Sequence, residues 1–129
     1  MLAIFCLLLS VTVVVAQPPP VHEKPIDVTI RNGGKLELKV PSSVNIWHRE
    51  FADGRKEYVE FPNQYLDVSN VWRSGTLGSK HSPIKVEIAK DGTLRMPKVT
   101  AADSAQYYTY YTGKDFRPHY SYFNVKIGK

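Results

Sequence analysis

The chain has 129 residues, a length that suits one domain. Its only cysteine, Cys6, lies in an uncharged first stretch, so all 17 lysines and arginines, all 12 acidic residues and the formal net charge of +5 belong to the remainder. This composition excludes a multi-domain machine, and it excludes a disulfide-stapled miniprotein or a cysteine-ligated zinc site in a mature chain.

Residues 1–16 are predicted to be an export signal. They carry no charged side chain and end in Val14-Val15-Ala16, where compact residues suit signal peptidase. The segment is shorter than the roughly 20 apolar residues that span a bilayer, and a buried N-terminal strand is the less favoured alternative. A Pro-rich N-terminal segment, residues 17–25, follows, and its Pro18-Pro19-Pro20 run breaks regular structure.

The rest of the sequence favours an extracellular location. It has no second apolar run, no hydrophobic C-terminal tail for a lipid anchor and no Asn-x-Ser/Thr site for N-glycans. We therefore expect a secreted protein that does not insert stably into a membrane.

Residues 26–129 are predicted to form one all-β domain. Apolar and polar residues alternate in short runs between turn sequences, which is typical of an antiparallel sandwich or barrel. The expected strands are 26–30, 36–40, 44–51, 56–61, 84–88, 93–96, 106–112 and 120–127, with an edge strand near 68–72 inside the less readable segment 63–82. The expected turns are Asn32-Gly33-Gly34, Ala52-Asp53-Gly54 and Asp91-Gly92.

One stretch of the domain is specific enough to indicate a family. The run Leu94-x-Met96-x-x-Val99-x-x-x-Asp103-Ser104-Ala105-x-Tyr107-Tyr108 resembles the E-to-F region of V-type immunoglobulin domains. The resemblance covers roughly residues 26–127 and implies an immunoglobulin-like antiparallel β-sandwich. It also implies that Leu94 and Met96 face the core, that Asp103 caps the E–F turn and that Tyr107 forms the tyrosine corner.

The resemblance further implies that the inter-sheet disulfide of this family is missing. Val40, at the end of a strand B pattern, and Thr109, on strand F, stand where the family has its two cysteines. Trp47 and Arg49 look like the strand C tryptophan and the basic residue that follows it. Loss of such a bridge typically costs ~2–5 kcal/mol, so aromatic burial must make up the difference.

Two details depart from the family pattern. The stretch from Val40 to Trp47 is short, and strand G lacks the Gly-x-Gly bulge of antibody domains, so antibody-like dimer pairing is not implied. The nearest candidates for the basic partner of Asp103 are Lys80 and Lys85.

The tyrosine-rich C-terminal hairpin is the main candidate binding site. If Tyr107 and Thr109 face the core, strand alternation turns the next residues outward. The same reasoning on strand G points Phe123 and Val125 inward. The four outward tyrosines are Tyr108, Tyr110, Tyr120 and Tyr122. Tyrosine is a preferred interface residue, and the equally weighted alternative is cross-strand pairing that only stiffens the sheet, at ~0.2–1 kcal/mol per pair.

The F–G loop, residues 112–119, is the second candidate. It carries Lys114, Phe116 and Arg117 near its tip, and binding residues concentrate on loops that a rigid sheet supports. An ordinary solvated loop is the slightly favoured alternative.

Other functions have weaker signals. The net charge suggests weak polyanion binding, but cations and acids are interspersed, which favours a solubility role. The four histidines, His22, His48, His81 and His119, show no metal-binding spacing, and no Gly-x-Ser-x-Gly elbow occurs. We therefore expect no enzyme activity, no cofactor, no metal and no nucleic-acid binding.

The sequence thus predicts a secreted V-type immunoglobulin-like domain that binds an extracellular or cell-surface protein. Its expected binding face comprises strands G, F, C and C′, with the F–G loop at the rim. The alternative is a structural or matrix protein, or a polyanion-binding protein, that acts through its basic surface.

Overall fold

The computed structural model describes residues 18–61, 71–74 and 85–128. The predicted export signal, Lys80, His81 and most of the predicted edge strand near 68–72 lie outside these ranges. In chain order, the described strands are β1 (Val21–His22), β2 (Ile26–Ile30), β3 (Leu36–Leu38), β4 (Ile46–Glu50), β5 (Lys56–Glu60), β6 (Arg73–Ser74), β7 (Glu87–Ile88), β8 (Leu94–Met96), β9 (Ala105–Thr112) and β10 (Pro118–Ile127), with a 3₁₀ helix at Ala101–Asp103 before β9.

The eight strands predicted outside residues 63–82 are all present, with ends that differ by up to three residues. The three predicted turns also form, and their glycines, Gly33, Gly54 and Gly92, all have positive φ angles, of 84°, 89° and 87°. Glycine adopts this left-handed conformation without the steric cost that a β-carbon brings.

The strands form two sheets. The larger sheet has the order β1-β10-β9-β4-β5-β6, and β2 also pairs with β10, whereas the smaller sheet has the order β3-β8-β7. The pairings are antiparallel except that β1 and β2 both run parallel to β10. The predicted antiparallel sandwich is present, and these two parallel pairings at its edge are an addition that the sequence did not indicate.

The parallel edge arises from the N-terminal segment. Val21 and His22 pair with one half of β10, and residues 26–30 pair with the other half. Pro25 lies between the two pieces, and its missing N–H interrupts the ladder. The sequence predicted no strand in residues 17–25, and that expectation was wrong for Val21 and His22.

The strand order confirms the predicted fold. The larger sheet contains G (β10), F (β9), C (β4), C′ (β5) and a short C″ (β6), and the smaller sheet contains B, E and D (β3, β8 and β7). Extension of the GFC sheet by C′ and C″ distinguishes the V type of immunoglobulin sandwich from the constant type. Because Cys6 is the only cysteine in the chain, the domain has no inter-sheet disulfide.

The core between the two sheets is aromatic and aliphatic. Trp47, Leu94, Met96 and Tyr107 are completely buried. The Trp47 ring lies 5.8 Å from that of Phe123, and its Nε1 donates a 2.8 Å hydrogen bond to the carbonyl oxygen of Gly92. Buried aromatic side chains contribute large apolar areas, which fits a domain that is held together without a disulfide.

The two positions that the resemblance assigns to the family's cysteines differ in their surroundings. Thr109 is fully buried, and its Oγ1 donates a 2.6 Å hydrogen bond to the carbonyl oxygen of Ile46. A buried hydroxyl is costly unless it finds such a partner. Val40 lies beyond the end of β3, where it is half-buried and packs against the core.

A buried ion-pair network supports the E–F turn. Asp103 is 1% exposed, and its partner is Arg49 at 3.0 Å. The expected candidate Lys85 was wrong, since it is exposed, and Lys80 lies outside the described residues. The Tyr107 hydroxyl donates a 2.7 Å hydrogen bond to the carbonyl oxygen of Asp103, four residues upstream. Burial raises the pKa of Tyr107 to about 12, so this hydroxyl remains a donor at neutral pH.

Candidate binding surface

The outer face of the larger sheet carries a continuous array of seven aromatic rings, which we call the aromatic surface. Its members are Tyr58, His48, Tyr108, Tyr122, His22, Tyr120 and Tyr110. They lie on five adjacent strands, β5, β4, β9, β10 and β1. Strand alternation places them on one face because the residues between them, such as Trp47 and Tyr107, point into the core.

Four of these residues form one row across the sheet. His48 is directly opposite Tyr58 on one side and Tyr108 on the other, and Tyr108 is opposite Tyr122. The His48 and Tyr108 rings stack at 5.0 Å with an interplanar angle of 11°. The Tyr108 and Tyr122 rings are 6.0 Å apart, and directly opposed side chains of this kind are the contacts that stabilise a sheet.

The other three residues form a parallel second row. Tyr110 is opposite Tyr120 with their rings 5.7 Å apart, and Tyr120 is opposite His22. The His22 ring stacks on Tyr120 at 4.9 Å. It also joins the two rows, because its Nδ1 lies 2.8 Å from the Tyr122 hydroxyl.

The aromatic surface is both paired and accessible. Tyr110 is 50% exposed, His22 is exposed, and Tyr108, Tyr120 and Tyr122 are half-buried. Offset or tilted ring pairs at such distances are worth ~0.5–1.5 kcal/mol beyond their area burial. The rings therefore hold one another in position and still present part of their surface to solvent.

The centre of the aromatic surface is uncharged near neutral pH. Burial lowers the pKa of His48, which keeps its imidazole neutral. Burial, followed by the nearby Glu50 and Tyr122, raises the pKa of Tyr108. A neutral, pre-ordered aromatic array can be desolvated by a partner at low cost compared with a charged one.

The F–G loop stands at one end of this face. Phe116 is 84% exposed and has a φ of 59°, a strained conformation for a residue other than glycine. Lys114 is exposed. Arg117 is half-buried, and its Nε donates a 3.0 Å hydrogen bond to the carbonyl oxygen of Pro19. Of the three predicted loop residues, Lys114 and Phe116 are therefore presented to solvent, and Arg117 holds the N-terminal segment.

The N-terminal segment braces the loop through a second contact. Glu23 accepts a 2.5 Å hydrogen bond from the Tyr111 hydroxyl, and burial together with this bond raises the pKa of Tyr111 to about 12. The His119 ring stacks on Tyr111 at 5.3 Å and lies 2.8 Å from Asp115. A hydrogen bond with His119 lowers the pKa of Asp115, which favours the charged form of this carboxyl group in the loop.

A row of polar side chains borders the aromatic surface at the other end. Glu50, Gln106, Asn124 and Asp27 are opposite one another on β4, β9, β10 and β2. They line a groove of about 750 Å³ together with other polar residues, such as Thr29 and Lys126, and with apolar residues, such as Val28 and Val125. We call this the polar groove.

Sequence reasoning missed three members of the aromatic surface. Strand alternation starting from Trp47 predicts that His48 points outward, and Tyr58 follows on the next strand, so these two had a readable signal. His22 had none, because the sequence indicated no strand between the proline run and Ile26. The polar groove was also missed, since no polar residue in it is unusual for an exposed sheet face.

Comparison with known proteins adds evidence about the fold. No family model matches the chain, and no curated protein matches it. Among solved structures, the extracellular fragment of novel immune-type receptor 11 from Ictalurus punctatus, including its stalk region, matches at 12% identity with a TM-score of 0.51, over 83% of this chain and 87% of that one. A second structure of that fragment matches at 14% identity with a TM-score of 0.50, over 81% and 98%.

The first immunoglobulin-like domain of human CD48 antigen also matches, at 15% identity with a TM-score of 0.47, over 81% of this chain and 82% of that one. At these identities the likeness to the two structures of novel immune-type receptor 11 concerns the fold, and it agrees with the strand order described above: the chain is an immunoglobulin-like β-sandwich of the V type. Within the three described ranges, no helix is long and apolar enough to cross a membrane.

Proposed function

We propose that this chain is a secreted protein that binds another extracellular or cell-surface protein through its G-F-C-C′ face. The observation that carries the proposal is the aromatic surface, with seven rings in contact across five strands. Tyr108, Tyr110, Tyr120 and Tyr122 are its anchors, and Lys114, Phe116 and Arg117 of the F–G loop shape its rim.

The chemistry of the surface supports this role. Tyrosine offers a large rigid contact area with a hydroxyl at its tip, and it loses little conformational entropy on binding. In this domain, stacking between opposite rings has already restricted the side chains, which reduces the cost of ordering them against a partner. Contiguous exposed patches of this kind commonly mark interaction sites.

Two further observations support the extracellular setting and a binding role. Residues 1–16 have the composition of an export signal. The two structures of novel immune-type receptor 11 are of an extracellular fragment of a receptor, and a binding module without catalytic activity is the corresponding role for this chain.

The sequence also raised a polyanion-binding or matrix role. Charge pairing in the described residues favours the solubility interpretation instead. Arg95 lies 3.4 Å from Glu37 and 3.8 Å from Glu87, and Lys35 lies 2.8 Å from Glu37. Cations that are paired with acids should bind heparin only weakly, and salt screens such weak electrostatic binding. We therefore expect the protein to elute from a heparin column below physiological salt.

The decisive experiment is affinity capture from extracellular material with the tagged mature chain. A Tyr110→Ser/Tyr122→Ser double variant should lose most of the captured protein. The matched control is Glu37→Ser/Arg95→Ser, which changes two partly exposed residues of the smaller sheet. If the tyrosine double variant is folded by circular dichroism and captures the same protein as the wild type, the aromatic surface is not the site.

A further inference from the structure

We propose that the polar groove beside the aromatic surface binds an uncharged pyranose residue of a glycan carried by the partner. This inference rests on the proposed function and adds the chemical class that part of the face recognises. It follows from the juxtaposition of a row of tyrosine rings with a row of amides and carboxylates on the same sheet face.

The polar row is ordered by its own hydrogen bonds. Gln106 Nε2 donates to Asn124 Oδ1 at 3.0 Å, and Asn124 Nδ2 donates to Asp27 Oδ1 at 3.2 Å. These bonds orient both amide planes along the row. Each amide nitrogen carries two N–H donors and each carbonyl oxygen has two lone pairs, so the row can serve a ligand while it keeps this arrangement.

The groove has suitable dimensions and a lining of both polar and apolar residues. Its volume of about 750 Å³ falls within the ~300–1,000 Å³ range of small-ligand sites. Thr29 and Ser104 are hydroxyl-bearing residues of its lining, and the apolar lining residues are Val28, Phe51, Ala52, Ala105 and Val125. A ligand there meets several polar groups from different strands, which can fix its orientation.

The aromatic rings begin directly beside the polar row. Tyr108 follows Gln106 by two residues on β9, and Tyr122 precedes Asn124 by two residues on β10. Two residues along a strand correspond to roughly 6.6–6.8 Å on the same face. The faces of the Tyr108 and Tyr122 rings pack against neighbouring rings across the row, so a pyranose ring at this boundary can place its apolar C–H face against their edges and its hydroxyls against the amides.

The charge pattern selects an uncharged ligand rich in hydroxyls. Asp27 and Glu50 are acceptors at the two ends of the row, and the amides between them both donate and accept. Sugar hydroxyls also donate and accept, so they can form hydrogen bonds with both the carboxylates and the amides of the row. An anionic ligand would face the carboxylates of Asp27 and Glu50, and a cationic ligand would face Lys126, which lines the same groove.

The direct test is a titration of the isotopically labelled protein with the neutral trisaccharides maltotriose, mannotriose and chitotriose. The amide chemical shifts of the protein are measured at each step of the titration. We expect shifts centred on Gln106 and Asn124 with at least one trisaccharide. Because Asn124 offers hydrogen bonds to the ligand, Asn124→Ala should weaken the binding by about tenfold. The control, Glu87→Ala on the smaller sheet, should titrate like the wild type. Absence of shifts with all three, or shifts away from the groove, overturns the inference.

A capture experiment separates this inference from the proposed function. Partner extracts are treated with N- and O-glycosidases before capture, and Asn124→Ala is compared with the Tyr110→Ser/Tyr122→Ser variant. Reduced capture after deglycosylation and with Asn124→Ala supports the inference. Capture that survives both but is lost with the tyrosine variant overturns the glycan inference and leaves the proposed function intact. Capture that survives deglycosylation, Asn124→Ala and the tyrosine double variant overturns both the glycan inference and the proposed function.

Discussion

Arg49 on β4 and Asp103 in the E–F turn form a 3.0 Å ion pair in which both side chains are almost completely buried. The same guanidinium bonds Glu57 through Nε at 2.7 Å and the Tyr107 hydroxyl through Nη1 at 3.1 Å. Its Cζ lies 4.2 Å from the centre of the Trp72 ring. One cation therefore links β4, β5 and β9 in a domain that lacks the disulfide of its structural class.

Replacement of Arg49 by methionine should strongly destabilise the domain. The variant leaves the carboxylate of Asp103 buried without its cation, and removal of one partner of a buried pair costs ~3–5 kcal/mol. The free energy of unfolding, measured by urea titration, should fall by this amount.

The matched control is Arg55→Met, which removes an exposed ion pair. Arg55 lies 2.7 Å from Asp53, and the two side chains are 66% and 57% exposed. Because exposed pairs contribute only ~0–1 kcal/mol, this variant should unfold near the wild-type urea concentration. Equal losses in the two variants would contradict a structural role for the buried network.

Gly92 should tolerate alanine much less well than Gly54. Both glycines have positive φ angles, 87° and 89°, so a β-carbon costs roughly 1–2 kcal/mol in either turn. At Gly92 the added atom would also lie 2.5 Å from the backbone nitrogen of Val44, whereas nothing lies within 4 Å at Gly54.

The melting temperatures of the two alanine variants measure this difference. The carbonyl oxygen of Gly92 accepts the hydrogen bond from the buried Trp47, so displacement of this turn also disturbs the core. We expect a small decrease for Gly54→Ala and a much larger one for Gly92→Ala. Similar decreases would mean that the D–E turn relaxes without affecting Trp47.

Much of the fold could be predicted because it depends on local alternation and turn chemistry. The inward position of Tyr107 and the outward position of Tyr108 follow from the period of a strand. The partners of buried charged side chains were harder to predict, because these partners are distant in sequence. Arg49 is inward for the same reason as Trp47, two residues before it, yet its pairing with Asp103 spans 54 positions and was missed.

The candidate site was predictable to a similar extent. The four outward tyrosines follow from alternation, and their pairing follows from the short F–G hairpin. The contribution of His22 could not be predicted, because it depends on the docking of a proline-rich segment beside β10. A parallel edge pairing of only two residues leaves no periodic pattern in the sequence.

The double substitution Val40→Cys/Thr109→Cys should restore a disulfide between the sheets. This tests the assignment of both residues to the family's cysteine positions. A native bridge of this kind contributes ~2–4 kcal/mol, so the oxidised variant should unfold at higher urea concentration than its reduced form.

The control for this crosslink is the single Thr109→Cys variant. It loses the hydrogen bond from Thr109 Oγ1 to the carbonyl oxygen of Ile46 without gaining a bridge, so it should be less stable than the wild type. Mass spectrometry and free-thiol labelling report the bridge in the double variant. Two free thiols after oxidation would show that Val40 is not opposite Thr109.

His48 should make the stability of the domain depend on pH between 7 and 5. Burial lowers its pKa from the ordinary value of 6.5, so below about pH 6.5 the unfolded chain binds more protons than the folded one. Stability is then lost as the pH falls through this range. Asp115 acts in a lower window, because its lowered pKa, from an ordinary 3.8, affects stability only at more acidic pH.

His48→Gln should flatten the decrease in melting temperature between pH 7 and pH 5. Tyr58→Phe is the matched control, because it keeps a ring 6.5 Å from His48 and changes no group that titrates in this interval. It should retain the wild-type pH dependence. A His48→Gln variant with an unchanged slope would assign the dependence to other groups. The expected slope has a consequence for binding: a partner that covers the aromatic surface buries His48 further, so its affinity should also fall with acidification.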